Sequence, residues 1–235
     1  MPVNGTFRLA RIRGIIMIVL HVELTSTSDT HIGGKKQGSM LDYLKLRKGD
    51  PYIPATHIKG IMRSEAERIL RATRNIPCSI TGMASGSDHR IHLCRELEEE
   101  GNYLCCICKL FGSPNRKGGE SCREGKIRVM NFYLKDSTRT NSGLRTHVSI
   151  DRDTGCKLNR ALYSMRTVPK GSVFSGYIII REELDQSDEK PLLLASIHAM
   201  ANYGIGGGRS RGLGQMHCTV TWEEKTPEMI LGGVS

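Results

Sequence analysis

The order of strand-type and helix-type periodicity along the chain is the strongest constraint on its fold. Apolar and polar residues alternate, as in half-buried strands, over four segments: 16–24, 126–135, 172–180 and 213–222. An amphipathic helix is predicted from Thr56, which can cap it, and a mostly apolar helix over 191–204. The core order is therefore βαββαβ. This order predicts an α+β, ferredoxin-like (RRM-like) fold, with an antiparallel sheet and two helices on one face.

Three segments interrupt this pattern. Residues 25–56 combine glycines, lysines and prolines, which predicts a long loop. Residues 75–125 predict an insertion rich in cysteine, glycine and charge, and residues 136–170 a basic insertion with weak periodicity. A chain of 235 residues can bury one large core, so we expect a single domain over residues 1–235 that carries these insertions.

The charge of the chain indicates an acidic partner. There are 34 Lys and Arg residues against 24 Asp and Glu, which gives a net charge of +10. Nucleic acid is the first candidate and a membrane surface the second. The apolar stretch at residues 15–20 is too short to span a bilayer, and no cleavage site follows it. We therefore expect a soluble, cytoplasmic protein.

A glycine-rich segment near the end of the chain combines bare backbone with positive charge. Six glycines fall within residues 204–214, around Arg209 and Arg211. A nucleotide-binding loop would follow a strand and precede a helix, whereas here a helix precedes and a strand follows. The segment is either a plain connection or, as we favour, a backbone that approaches nucleic acid, with both arginines on phosphates.

Two further groups of residues are candidate sites. Thr56, Lys59 and Arg63 gather a hydroxyl and positive charge around the first turns of the predicted helix, where backbone N–H groups favour anions. Eight cysteines without an export signal suit a metal better than disulfides. Structural zinc is predicted on Cys94, Cys105 and Cys108, completed by His89 or His92 as the fourth ligand, with Cys78 and Cys106 as substitutes.

Several blocks in a fixed order resemble the RAMP superfamily of CRISPR-associated proteins. They are "HIGG" at 31–34, "PYIPATHIKGIMRSEAERIL" at 51–70, "CxxCKLFGS" at 105–113, "SIDRDTG" at 149–155, "VPKGSVF" at 168–174, and the glycine-rich segment. More narrowly, the chain is similar to the repeated (Csm-type) backbone subunit of type III effector complexes. The family pattern usually reads "PGSSLKG" where this chain has "PATHIKG".

The resemblance implies an RRM-like core whose copies polymerise along a guide crRNA beside other type III subunits, including the large signature subunit. Asp42, which composition alone does not single out, falls at the loop acid that the family requires for cutting target RNA at regular intervals. Residues 136–170 correspond to the thumb hairpin. The implied RNA contacts are Lys59, Arg63, Gly206, Gly207, Gly208, Arg209, Ser210, Arg211, Arg152 and Arg166.

Four functions remain open. The first is guide binding with metal-dependent (Mg²⁺ or Mn²⁺) cleavage of target RNA, in which Asp42 is either base or metal ligand. The second is guide binding without cleavage. The third is a guide-processing endoribonuclease of the same superfamily, for which His57 is the candidate histidine. The fourth is a zinc-stabilised DNA-binding module.

Overall fold

A computed structural model of the chain describes residues 17–47, 49–73, 105–112, 124–135 and 142–225. Its strands are β1 Met17–Ser26, β2 Gly33–Gln37, β3 Met40–Tyr43, β4 Tyr52–Ile53, β5 Ile127–Val129, β6 Phe132–Leu134, β7 Gly143–Ile150, β8 Lys157–Thr167, β9 Val173–Ile180 and β10 Met216–Lys225. Its helices are α1 Ala55–Ala72, α2 Cys106–Phe111 and α3 Glu189–Tyr203, with a short 3₁₀ helix at Arg209–Arg211.

The core is a six-stranded antiparallel sheet in the order β10-β1-β9-β6-β4, with β5 also paired to β9. The four strands predicted from periodicity correspond to β1, β5 with β6, β9 and β10. In the sheet, β10 and β9 lie on either side of β1, and β5 and β6 lie beyond β9. This is the ferredoxin-like strand order. The predicted α+β class and antiparallel sheet are therefore confirmed, with strand ends shifted by a few residues.

Helices α1 and α3 pack against the sheet through one continuous apolar core. In β1 the even-numbered side chains point into it, as alternation requires. Its largest fully buried side chains are Phe132, Phe174, Leu20, Leu24, Ile53, Ile58, Met62, Ile107, Leu110, Ile127, Ile178 and Leu193. Each contributes about 1.5–3 kcal/mol on burial, so this layer is the main source of stability.

The start of α1 differs from the sequence prediction. Thr56 does not cap the helix: it is exposed within the first turn, and Pro54 occupies the cap position without a side-chain bond. Instead, Asn131 Oδ1 accepts a hydrogen bond from the Ala55 N–H at 2.8 Å. Asn131 lies between β5 and β6. The single strand predicted over 126–135 is therefore two short strands, and the residue that separates them caps the helix.

A second sheet has the order β2-β3-β8-β7, in which β3 runs parallel to β8. Residues 25–56, predicted to be one long loop, contain three short strands: β2 and β3 in this sheet and β4 in the core sheet. Gly38, with φ of 59°, and Ser39 form the tight turn between β2 and β3. Strands β7 and β8 form a long hairpin within the predicted basic insertion. The cysteine-rich insertion at 75–125 lies mostly outside the described residues.

We expect Gly176→Ala to lower the free energy of unfolding by about 1–3 kcal/mol, measured by chemical denaturation. A Cβ on Gly176 would lie 2.5 Å from the Phe132 ring, which is fully buried and cannot move aside. The matched control is Gly60→Ala on the exposed side of α1. A Cβ there has nothing within 4 Å, and the variant should be stabilised by up to about 1 kcal/mol. Equal effects at the two sites would contradict the packing argument.

Candidate nucleic-acid interface

The glycine-rich loop, residues 204–214, folds back on itself after α3. The Ile205 N–H donates to the Gly214 carbonyl at 2.8 Å and closes the loop. Ile205 and Leu213 are buried and anchor both ends in the protein. Between these anchors the 3₁₀ helix Arg209–Arg211 is exposed at the tip. The loop therefore presents two guanidinium groups and a serine hydroxyl to solvent from a fixed base.

Close backbone contacts explain two of the glycines of this loop. Gly206 and Gly214 have φ of 95° and 78°, in the left-handed region that side chains disfavour. A Cβ on Gly206 would lie 2.2 Å from the His31 carbonyl oxygen, and one on Gly214 would lie 2.1 Å from that of Ile205. Gly206 and Gly214 are therefore required by the fold of the loop, before any partner is considered.

Two histidines hold the loop against the rest of the protein. The Gly207 N–H donates to the His31 carbonyl at 2.8 Å, and the Gly206 N–H donates to His57 Nε2 at 3.1 Å. Burial, and secondarily the positive charge of Arg209, lower the pKa of His57. The His57 imidazole is therefore neutral at pH 7, which its role as an acceptor requires.

His31 also connects the glycine-rich loop to the second sheet. Its Nδ1 lies 2.7 Å from the Arg166 carbonyl, which can only accept, so Nδ1 carries the proton. In the parallel pair of β3 and β8, Leu41 lies opposite Met165. Asp42 and Arg166 are the next residues on these strands, so the structure brings the predicted loop acid and a predicted RNA contact together.

Asp42 is a partly buried carboxylate held among cations. Its Oδ2 lies 2.7 Å from Lys45 Nζ, and its Oδ1 accepts the Tyr43 N–H at 2.9 Å. Burial alone would raise the pKa of Asp42, but the Lys45 ammonium, the Tyr43 amide and the charge of Arg166 outweigh it and lower that pKa. The carboxylate is therefore ionised at neutral pH, and Lys45 and Arg166 favour an anion beside it.

Asp29 ties the β7–β8 hairpin to the glycine-rich loop. The Arg145 guanidinium donates through Nε and Nη2 to Asp29 Oδ2, at 3.1 and 2.9 Å. The Asp29 carbonyl accepts the Gly214 N–H at 2.9 Å, and its Oδ1 accepts the Lys170 N–H. One residue thus contacts the hairpin, the segment after it and the loop.

The loop tip also contacts the hairpin directly. Arg211 Nη1 lies 3.2 Å from the Tyr163 hydroxyl, and the Tyr163 ring stacks on His147 with centroids 5.1 Å apart. Arg152 is exposed in the turn between β7 and β8. This turn lies several residue pairs along the hairpin from the pair of His147 and Tyr163. The hairpin also exposes five large apolar side chains: Leu144, Val148, Ile150, Leu158 and Leu162.

Comparison with known proteins identifies the family. A family model described as the RAMP superfamily matches residues 23–217, which is most of the chain. The chain belongs to the RAMP superfamily. No curated protein sequence matches it. Membership supports a CRISPR-associated, RNA-binding role, in agreement with the exposed arginines of the loop. None of the described helices is long and apolar enough to cross a membrane.

The two predicted RNA contacts on α1 of this RAMP protein have different surroundings. The Arg63 guanidinium donates to Glu67 at 3.1 Å and to the Gly112 carbonyl at 2.9 Å, and its side chain is only 20% exposed. The bond to Gly112 fastens α1 to the end of α2, and the bond to Glu67 lies within α1, so two donor groups of Arg63 are engaged within the protein. Lys59 is half-buried, four residues before Arg63 on the same helix.

The predicted zinc site lies largely outside the described residues, which exclude Cys94, His89 and His92. Cys105 immediately precedes α2, and Cys108 is buried within it. Among the described residues, no group of three or more His, Cys, Asp or Glu side chains is placed to hold a metal. The zinc site therefore stays a prediction.

Sequence reasoning did not select four residues that build the interface: Asp29, His31, Lys45 and Tyr163. His31 stands two residues before a pair of glycines in the "HIGG" block, which is a signal for a side chain beside exposed backbone. Lys45 follows Asp42 by three residues and could have been paired with it. The contacts of Asp29 and Tyr163 join distant segments, and no local pattern indicates them.

A second polar cluster lies on the sheet surface away from the helices. His21 Nε2 lies 2.8 Å from Ser175 Oγ, and His21 Nδ1 lies 3.2 Å from a Glu223 oxygen. Lys225 contacts both Glu223 and the Tyr177 hydroxyl. The backbone amides of β1 belong to the sheet ladder on both sides, so this strand offers no paired donors for an oxyanion. We interpret this cluster as sheet-stabilising.

Proposed function

We propose that this chain is the repeated guide-crRNA-binding backbone subunit of a type III CRISPR effector complex, and that it cleaves complementary target RNA at Asp42. One observation supports this above the others. Hydrogen bonds join the glycine-rich loop, the His31 segment, the start of α1 and strand β8 into one unit, and Asp42 lies beside that strand. RNA bound at the exposed arginines would thus lie on the unit that carries the acid.

In the proposed reaction, the protein holds one target nucleotide so that its 2′-hydroxyl is in line with the scissile phosphate. The 2′-hydroxyl loses its proton as its oxygen attacks phosphorus, and the bond to the 5′-oxygen breaks. One product carries a 2′,3′-cyclic phosphate or its hydrolysed form, and the other carries a 5′-hydroxyl whose oxygen has taken up a proton. Lys45 and Arg166 would stabilise the charge that develops on the phosphate. Asp42 would activate the hydroxyl or hold a divalent cation.

The cation proposal fits the chemistry of Asp42. An ionised carboxylate provides the hard oxygen ligand that Mg²⁺ and Mn²⁺ prefer, although Asp42 Oδ2 is paired with Lys45 and would have to exchange that partner. A cation bound there would supply further neutralisation of phosphate charge. Phosphate oxygens of the RNA and water would complete its coordination.

The partners proposed are the guide crRNA, the target RNA, further copies of this chain and other type III subunits in the cytoplasm. The number of chains bound per guide tests this proposal. Purified chain is assembled on guide RNAs of two lengths, and the copy number is measured by native mass spectrometry. The proposal predicts more copies on the longer guide, whereas the same one or two copies on both would contradict it.

A guide-processing endoribonuclease is the second candidate function, because His57 is neutral and lies against the glycine-rich loop. A neutral imidazole can act as a general base. This candidate predicts cleavage of repeat RNA by the isolated chain, and it predicts that His57→Ala but not Asp42→Asn stops that cleavage. Guide binding without cleavage remains the alternative if neither variant changes the fate of any RNA.

The double variant Arg209→Ala/Arg211→Ala is expected to bind single-stranded RNA about tenfold more weakly than the original chain. It should also lower the slope of log affinity against log salt by about 1.4, since each lost phosphate contact removes about 0.7. The measurement is fluorescence anisotropy at several salt concentrations. The matched control, Arg128→Ala/Arg181→Ala, removes the same charge from exposed positions, one in β5 and one directly after β9. Equal losses in the two variants would show that total charge, not the loop, governs binding.

A further inference from the structure

His57 makes a contact that neither phosphate binding nor catalysis requires. It lies in the first turn of α1, and its Nε2 accepts the Gly206 N–H at 3.1 Å. Gly206 begins the turn that leads to the exposed Arg209 and Arg211. Its φ of 95° is open to glycine and disfavoured for other residues, so hydrogen bonds rather than side-chain packing fix the position of this turn. The imidazole provides one of these bonds from a rigid helix.

The surroundings keep this imidazole in the accepting form. The first turn of α1 contains no acidic residue, and the charge that acts on His57 from the loop is the positive one of Arg209. In the adjoining segment, Asp29 is paired with Arg145, and His31 donates its Nδ1 proton to a carbonyl. The positive end of the helix dipole also disfavours an imidazolium here. An accepting Nε2 requires the proton on Nδ1.

We propose that His57 is a positioning residue, which holds the glycine-rich loop in the shape that presents Arg209, Ser210 and Arg211 to RNA. This inference rests on the proposed RNA-binding function. His57 acts through the Gly206 amide and does not itself contact the RNA. Protonation of Nε2 would replace the acceptor with a second donor facing the Gly206 N–H, so acidification should release the loop and weaken binding.

The test compares His57→Ala with His57→Gln, whose side-chain oxygen can accept the same N–H. The probe is a fluorescently labelled single-stranded RNA of about 30 nucleotides, at low salt. We expect His57→Ala to bind about tenfold more weakly and His57→Gln to stay within about threefold of the original chain. The control His198→Ala, at an exposed position of α3, should bind like the original chain.

A pH series separates positioning from direct contact. Between about pH 8 and about pH 5.5, affinity of the original chain should fall more than that of His57→Gln. An affinity that rises on acidification in the original chain but not in His57→Gln would overturn the proposal, because it would indicate an imidazolium on a phosphate. Unchanged binding by His57→Ala would overturn it as well.

Amide hydrogen exchange keeps this inference distinguishable from the proposed function. Exchange over residues 204–214 should speed up in His57→Ala but not in His57→Gln, while exchange in β1 stays the same. If the original chain binds no RNA, the proposed function fails. The exchange result then still decides whether His57 holds the loop, since equal exchange in all variants would refute it.

Discussion

Asp42→Asn is expected to reduce cleavage of guide-complementary RNA by at least about a hundredfold, while guide binding stays within about twofold. The carboxamide has nearly the same shape but carries no charge, so it cannot activate a hydroxyl and holds a divalent cation much more weakly. Binding should persist because the exposed arginines of the glycine-rich loop are untouched. Cleavage is measured under single-turnover conditions on the assembled complex.

The low pKa of Asp42 shapes the pH dependence of that cleavage. Lys45 and Arg166 keep the carboxylate ionised, so Asp42 should cause no loss of rate above about pH 5. Such a carboxylate is a weak base, which favours the cation-holding role over proton abstraction. Loss of cleavage on chelation, with recovery on adding Mn²⁺, is therefore the expected companion result.

Asp188→Asn is the matched control for this experiment, because it makes the same chemical change at an exposed position that precedes α3. Asparagine serves as well as aspartate at the start of a helix, so the fold should be kept. Equal cleavage by the original chain and Asp42→Asn would contradict the catalytic proposal and favour a subunit that binds guide RNA without cutting. Loss of guide binding in Asp42→Asn would show that the substitution disturbs the fold, so that its effect on cleavage could not be assigned to the carboxylate.

The core of the fold could be predicted because its signals are local. Alternation in β1 identifies Leu20, Val22 and Leu24 as the buried face, and the structure places all three there. The apolar stripe along α1 is an equally clear signal in the sequence, and Ile58 and Met62 of that stripe lie in the core. Each of these elements buries one face against the core, so its apolar residues recur at the period of a strand or a helix. The sequence shows that period directly.

The interface could be predicted only in part, since its contacts join residues far apart in sequence. The exposed arginines of the glycine-rich loop were found from charge and glycine content. The neighbours Asp42 and Arg166 depend on a parallel pairing of β3 with β8. The cap of α1 likewise comes from Asn131 rather than Thr56. Pairings of this kind follow from the tertiary fold, which no local pattern specifies.

Gly206→Ala is expected to weaken single-stranded RNA binding by about thirtyfold or more, at least as much as the loss of both loop arginines. The new Cβ would lie 2.2 Å from the His31 carbonyl oxygen, in a backbone conformation that alanine disfavours by about 1–2 kcal/mol. Because His31 is itself fixed to Arg166, the loop must leave its site. Its tip would then lose its fixed position, and anisotropy with single-stranded RNA measures the effect.

Gly212→Ala separates the clash from the backbone strain. Gly212 has φ of 80° in the same loop, but a Cβ there has nothing within 4 Å. It carries a similar conformational penalty without the collision, so its binding should fall by no more than about threefold. If both variants bind RNA alike, the loop tolerates displacement from His31, and its fixed position is not what RNA recognition needs. If Gly206→Ala binds as tightly as the original chain, the RNA contacts lie elsewhere on the protein.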